Sequence, residues 1–250
     1  MSSLEGKIIL ITGGLGTLGS SAIRLFLKQG ATIAASDRKA LQEHPAVEAA
    51  VEPYGKERFQ YFQADVTDEA QVQELAEEIG RRFGALHGLY HNVYVNVAKP
   101  LLELTLEQWE DSMRGSLTSA FLVCKYMLPL MIRSGGGSIV NTSSIIGQVP
   151  LNNYLAYGTA KAGMNQFTRL VAKDYASQGI RANVLVPGDF KSDEFLESPP
   201  DSFREMMGNI TLLGRSARAD EINEVASFLL SDASSYVTAS LYSADGGFRL

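Results

Sequence analysis

The chain reads as an α/β protein, a parallel sheet with helices covering both faces. Three observations predict this class. Short β-branched runs alternate along the chain with longer amphipathic stretches, the pattern of repeated strand–helix–strand units. A run such as Ile8-Ile9-Leu10-Ile11 is apolar at every position, as expected of a strand whose sheet is buried on both faces. Finally, 250 residues without repeats, low-complexity tracts or a dividing linker suit one domain spanning residues 1–250.

In chain order, strands are expected over Lys7–Thr12, Thr32–Ser36, Phe59–Gln63, Leu86–Val93, Ser138–Thr142, Arg181–Val186 and Ser240–Ser243. Helices are expected over about Thr17–Gln29, Asp68–Phe83, Leu106–Arg133, Tyr154–Ser177 and Asp220–Leu230, with a weaker one between Val47 and Tyr54. Thr105 and Gln108 fit a reciprocal capping pair at the start of the third helix, and Pro129 is expected to kink it near its end. The stretch Gly188–Arg215 breaks the pattern. It is polar, carries Pro199-Pro200, and is flanked by glycines. Yet it includes Phe190, Phe195, Leu196, Phe203, Met206 and Met207, too many apolar side chains for a solvated loop. It reads as a mobile lid, with a fixed pair of surface helices as the alternative.

Composition narrows the function. The charges sum to 22 − 28 = −6, with a pI near 5.2, which argues against an electrostatic nucleic-acid binder. Cys124 is the only cysteine, so neither an intramolecular disulfide nor a thiolate metal cluster is expected. His44, His87 and His91 lack zinc-site spacing, and no metal is expected. The opening stretch has only a four-residue apolar run before polar punctuation, read here as neither signal peptide nor membrane span. A cytoplasmic protein without membrane or nucleic-acid partners is the expectation.

Two constellations carry chemistry. The first strand runs into Thr12-Gly13-Gly14-Leu15-Gly16-Thr17-Leu18-Gly19 and then a helix. Gly14, Gly16 and Gly19 satisfy G-x-G-x-x-G, and a glycine turn between strand and helix lets backbone N–H groups and the helix dipole meet a pyrophosphate. Asp37 ends the next strand, where a carboxylate bonds the adenosine ribose and repels a 2′-phosphate. NAD is therefore expected over NADP, although the adjacent Arg38 is able to accommodate that phosphate.

The second constellation is Tyr157 and Lys161, four residues apart on a predicted helix, with Ser144 at a strand end thirteen residues before the tyrosine. Positions i and i+4 share a helix face. A free phenol titrates near 10, and a neighbouring cation is expected to lower that value and make the phenol a general acid/base. Ser144 is placed to bond the same substrate oxygen. The plainer alternative is an ordinary surface pair.

Together these motifs resemble the short-chain dehydrogenase/reductase family, in its short one-domain branch. The resemblance covers nearly the whole chain. It includes the turn at Thr12–Gly19, Asp65-Val66 after the third strand, the Ser144, Tyr157, Lys161 set, Pro187-Gly188, and Asp245-Gly246-Gly247. It implies a Rossmann-like, doubly wound sheet of order 3-2-1-4-5-6-7 and a hydride exchange between a nicotinamide cofactor and an alcohol or ketone. It also implies that Tyr157 is the acid/base, that Lys161 holds the ribose, and that Ser144 orients substrate. Asp65 and Val66 would contact adenine, and Phe190 and Ser192 would lie near the carboxamide. His91 and Asn92 fall in the family's Asn-Asn-Ala-Gly element. A homotetramer is implied as well, packed through the long helices and the last strand.

Three positions depart from the family pattern. Gly16 stands one residue early and Thr17 takes the place of the middle glycine, giving the TGxxGxxG form typical of the longer, sugar-nucleotide-acting branch. The Thr17 side chain either crowds the pyrophosphate or bonds it. His91-Asn92-Val93-Tyr94 replaces Asn-Asn-Ala-Gly, with His91 read as a packing or ribose-contact residue rather than a base. Ser116 stands where the family has an asparagine that holds a relay water. The substrate pocket is expected from Tyr94, Asn96, Ile146, Asn153 and Tyr154, although Asn153 and Tyr154 equally suit the turn that begins the catalytic helix. A neutral alcohol or ketone fits this lining. The alternatives are an NAD-binding regulator with little turnover, or an epimerase or dehydratase.

Overall fold

The apolar β-branched runs do form strands in the computed structural model, which describes residues 4–248. The strands are β1 (Ile8–Thr12), β2 (Thr32–Asp37), β3 (Phe59–Gln63), β4 (Gly88–His91), β5 (Gly137–Thr142), β6 (Ile180–Pro187), β7 (Phe190–Lys191), β8 (Ala217–Arg218) and β9 (Leu241–Ala244). Seven of them make one parallel sheet in the order β3-β2-β1-β4-β5-β6-β9, the doubly wound order expected, with β9 as its seventh member. β7 and β8 pair only with each other.

The helices are α1 (Thr17–Lys28), α2 (Pro45–Val51), α3 (Gly55–Arg58), α4 (Glu69–Phe83), α5 (Leu106–Met113), α6 (Ser119–Arg133), α7 (Leu155–Tyr175), α8 (Asp193–Glu197), α9 (Asp201–Ile210) and α10 (Ala219–Leu230). They cover both faces because the strand side chains alternate. Ile9 and Ile11 pack with Phe26 of α1 and Ile222 of α10, whereas Leu10 packs with Val72 and Leu75 of α4 and Met127 of α6. Fully buried side chains such as Phe26 each contribute roughly 1.5–3 kcal/mol.

Local signals fix the helix starts. Asp68 caps α4, its carboxylate accepting from the N–H groups of Ala70 and Gln71. Thr105 and Gln108 form the expected reciprocal cap on α5. The third predicted helix is not continuous, however. It is π-wound over Arg114–Thr118, and Pro129 lies inside α6 rather than at this break. Close packing accompanies the π segment: a Cβ on Gly115 would come within 2.3 Å of Val95 Cγ2.

Leu106–Arg133 is apolar and long enough to cross a membrane, but 61% of its most apolar window is buried inside the fold. The stretch 188–215 holds β7, α8 and α9, closed internally by an edge-on Phe195–Phe203 contact at 5.0 Å. It is tied down by the Arg218–Asp193 ion pair, and Leu212 and Leu213 donate to the carbonyls of Gly247 and Gly246.

Candidate active site and cofactor cleft

Thr12, Asp37, His91, Thr142 and Pro187 all sit at the carboxyl ends of their strands. The chain winds outward from β1 to β3 and then returns to β4 on the other side of β1, so a crevice opens between β1 and β4. A cleft of about 630 Å³ lies there, lined among others by Gly13, Asp37, Asp65, Val66, Asn92 and Tyr94.

The glycine turn explains itself in atoms. Gly13 has φ +68, in the left-handed region. A Cβ on Gly19 would stand 2.1 Å from the Gly13 carbonyl oxygen, so this glycine lets the helix lie against the turn. Gly14 is tight against Ala35, whereas a Cβ on Gly16 would meet only an ordinary contact. Gly16 and Thr17 are both exposed at the open end of α1. Asp37 is oriented by the Leu15 N–H, which donates to its Oδ2 at 3.1 Å. One oxygen of Asp65 accepts from the N–H and hydroxyl of Thr67. Two cleft-lining groups, Ser36 Oγ and Asn92 Nδ2, are buried without partners. Orphaned polar atoms beside a glycine cradle fit a polar, phosphate-bearing ligand such as a dinucleotide.

The catalytic candidates come together as the spacing requires. Ser144, two residues past the end of β5, is nearly buried; its hydroxyl accepts from the Ile146 N–H at 3.2 Å and lies close enough to Tyr157 to favour the phenolate. Tyr157 and Lys161 share the inner face of α7, with Lys161 Nζ 5.6 Å from the Tyr157 ring centre. The Lys161 ammonium donates to the Thr142 carbonyl at 2.7 Å. Ile146 packs beside Gly158 on the same helix, and the Tyr154 ring lies 6.5 Å from that of Tyr157.

The electrostatics differ from the expectation. Burial pushes the Tyr157 phenol up to about 12, and the neighbouring Ser144 hydroxyl only partly offsets it. Burial also pulls Lys161 down to about 7. The reason is desolvation: both side chains sit in a dry interior that penalises either charge more than one assists the other. Burial, not the neighbouring lysine, dominates the shift of the tyrosine.

Other expected site residues have different places. His91 is fully buried, and its pKa falls to about 3 because burial disfavours the cation. Ser119 donates to the Gly115 carbonyl, so it accepts from His91 Nε2; Nδ1 then accepts from Thr12 Oγ1. His91 is thus a neutral bracket between β1, β4 and α6, not a ribose contact. Leu18 turns its side chain into the core beneath α1. Phe190 packs against the same core and pairs with Ala217. Ser192 caps α8, accepting from the Phe195 N–H, although it does share a small cleft with Thr17 at the start of α1. Pro187 ends β6, and Gly188 is a glycine because Asp245 Cα would lie 2.7 Å from any Cβ.

Ser116 is engaged with the backbone. Its hydroxyl donates to the Val95 carbonyl and accepts from the Val95 N–H, clamping the loop after β4. Asn153 has φ +70 and its carbonyl accepts from the Lys99 N–H, so it makes the turn before α7. Asn96 is exposed on the clamped loop. Sequence reasoning missed Asp111 and Arg114, which line the cofactor cleft from α5 and the π segment. It also missed Thr142, the acceptor for Lys161. Nothing in their local sequence marks them.

The chain belongs to the short-chain dehydrogenase/reductase family. The family model described as enoyl-(acyl carrier protein) reductase matches residues 15–249. A 2,5-dichloro-2,5-cyclohexadiene-1,4-diol dehydrogenase of Sphingobium indicum is 37% identical, covering 99% of both chains. A cis-4-hydroxycyclohexanecarboxylate dehydrogenase of Sinomonas cyclohexanicum is 34% identical over 97% of this chain and 96% of its own. A solved short-chain dehydrogenase/reductase from Burkholderia xenovorans superposes with a TM-score of 0.89 at 31% identity, covering 98% of this chain and 96% of that one. The protein is accordingly an oxidoreductase that moves a hydride between a nicotinamide cofactor and an alcohol or ketone.

Proposed function

We propose that the protein is an NAD-dependent dehydrogenase of a small neutral secondary alcohol, a ring-borne hydroxyl in particular, with Tyr157 as the proton-transfer group. The observation that carries this reading is the convergence of Ser144, Tyr157 and Lys161 beside a glycine-floored cleft that contains Asp37. The substrate class draws on two relatives named for alcohols on six-membered rings. The Tyr94 and Tyr154 rings flanking Tyr157 suit such a substrate, offering flat apolar walls.

The nicotinamide ring, when bound, supplies the two-electron hydride carrier. Asp37 holds the adenosine ribose and disfavours a 2′-phosphate, while Gly13–Gly19 and the start of α1 receive the pyrophosphate. Arg38, Lys39 and Arg114 line the same cleft, and these cations favour NADP instead. Asp37 is the better placed, because Leu15 fixes its carboxylate on the turn. Ser144 fixes the substrate oxygen. In the reducing direction the neutral Tyr157 phenol donates its proton to that oxygen as negative charge develops. In the oxidising direction the phenolate takes the hydroxyl proton, and with the phenol near 12 the required form grows as pH rises. Lys161 would hold the nicotinamide ribose and, once protonated, would favour that phenolate.

The stretch 188–215 is proposed as a lid over nicotinamide and substrate. A cytoplasmic homotetramer completes the reading. Phe121 on α6 and Leu170 on α7 are about half exposed, as are apolar residues at an interface.

The test is Tyr157→Phe. Turnover of a cyclic alcohol with NAD should fall by on the order of 10²-fold or more, while fluorescence titration shows NADH binding retained. Near wild-type turnover by the variant would refute the assignment.

A further inference from the structure

Among the described residues, Tyr94 is the one aromatic side chain that borders both the cofactor cleft and the catalytic pair. Its ring lies edge-on to Tyr157 at 5.9 Å between centres, and Lys161 Nζ stands 5.9 Å from the ring centre. The same residue lines the cleft that contains Gly13, Asp37 and Asn92. Lys161 is 1% exposed, whereas Tyr94 itself is 57% exposed. The ring thus stands beside the buried lysine while more than half of it faces solvent.

The backbone beneath it is fixed. Val95 is held at both its N–H and its carbonyl by Ser116, and it packs directly on Gly115. On the other side, Asn92 donates its N–H to Thr12 and packs on Gly13. A half-exposed side chain on a clamped loop moves by rotating about its own bonds, without displacing its neighbours.

We propose that Tyr94 is an access residue: its ring covers Lys161 and Tyr157 until the cofactor arrives and swings aside to admit its nicotinamide riboside half. The inference rests on the nicotinamide reading above. The adenosine half docks by Asp37 and Asp65 without passing the ring. The other half reaches Lys161 only when the ring has moved. A covering state reduces apparent affinity by the fraction of molecules that are open. It also keeps the catalytic pair dry until the cofactor arrives.

Four proteins test this: wild type, Tyr94→Phe, Tyr94→Ala and Tyr94→Gly. Stopped-flow fluorescence measures NADH binding, and calorimetry measures ADP as a probe that lacks the nicotinamide riboside. Mass spectrometry follows acetylation of Lys161 by acetic anhydride in the absence of nucleotide. Tyr94→Ala and Tyr94→Gly should bind NADH about threefold more tightly or more, with faster association, and acetylate Lys161 faster by a similar factor. Tyr94→Phe should match wild type in both, because the ring and not the hydroxyl is the cover. ADP affinity should be the same in all four. The alanine variant separates loss of the ring from the added backbone freedom of glycine. Unchanged NADH binding and unchanged labelling overturn the proposal. Weaker NADH binding by the alanine and glycine variants also overturns it, since the ring would then be a platform rather than a cover. Failure of wild type to bind either nucleotide refutes the cofactor reading and this proposal's role for the ring in cofactor entry. In that case faster Lys161 labelling in the alanine variant still distinguishes a real cover from a failed cofactor assignment.

Discussion

Replacing Lys161 with methionine removes a buried ammonium while keeping most of the side-chain volume. Burial lowers the lysine from 10.5 to about 7, a difference of 10.5 − 7 = 3.5 units. At about 1.4 kcal/mol per unit, the buried charge costs up to about 5 kcal/mol at pH 7. The folded pKa is the depressed one. Between pH 7 and 10.5 the unfolded chain therefore holds a proton that the folded chain has released, and wild-type stability rises with pH across that window. Methionine has no such dependence. Against its gain stands the lost 2.7 Å bond to the Thr142 carbonyl, worth about 1–3 kcal/mol for a charged donor. Lys161→Met should thus be more stable at pH 7 by about 2–4 kcal/mol, or roughly 5–10 °C in Tm for a chain of this size. The gain should shrink by about 1.4 kcal/mol per pH unit, vanish between about pH 8.5 and 10, and reverse above that, where only the lost bond to Thr142 separates the two proteins. Thermal unfolding of both proteins at equal concentration and at pH 7, 8.5 and 10 measures the difference, in which the other titrating groups cancel. A Tm difference independent of pH, or a variant less stable at pH 7, would refute the argument that desolvation governs this lysine.

Asp37→Ala should narrow the preference for NAD over NADP by about one to two decades, read as the ratio of dissociation constants. Equal or tighter NADP binding by the wild type would instead give the cleft to Arg38, Lys39 and Arg114. Gly19→Ala should destabilise by several kcal/mol or abolish NADH binding, because its Cβ meets the Gly13 carbonyl oxygen at 2.1 Å; a well-folded variant with unchanged NADH affinity would contradict that. Hydrogen exchange over Phe195–Met207 should slow when NAD and a substrate analogue are added. Protection that does not respond would favour a fixed helix pair over a lid.

Much of the fold was legible because it depends on local and periodic signals. The all-apolar Ile8–Ile11 run, the glycine turn and the cap at Thr105 each report a constraint carried by a few adjacent residues. The π-wound break at Arg114–Thr118 was not legible, because it accompanies Gly115 packing on Val95, twenty residues away in sequence. Pro129 lies near the end of α6, where a kink is expected, and is separate from this break. His91 looked like a possible contact at a strand end, yet Thr12 and Ser119 take up both of its ring nitrogens.

The sequence by itself determined the α/β class, the strand order through its family resemblance, and the candidates for the chemistry: Ser144, Tyr157 and Lys161. Spacing on one helix suffices to put a phenol and an ammonium on the same face. Only the tertiary structure decided their ionisation, since a pKa depends on how much water the rest of the fold removes, and here burial drives the pair to about 12 and about 7. It alone decided that Ser116 clamps Val95 and that Tyr94 stands over Lys161. Those contacts join segments distant in sequence, and no local pattern encodes them.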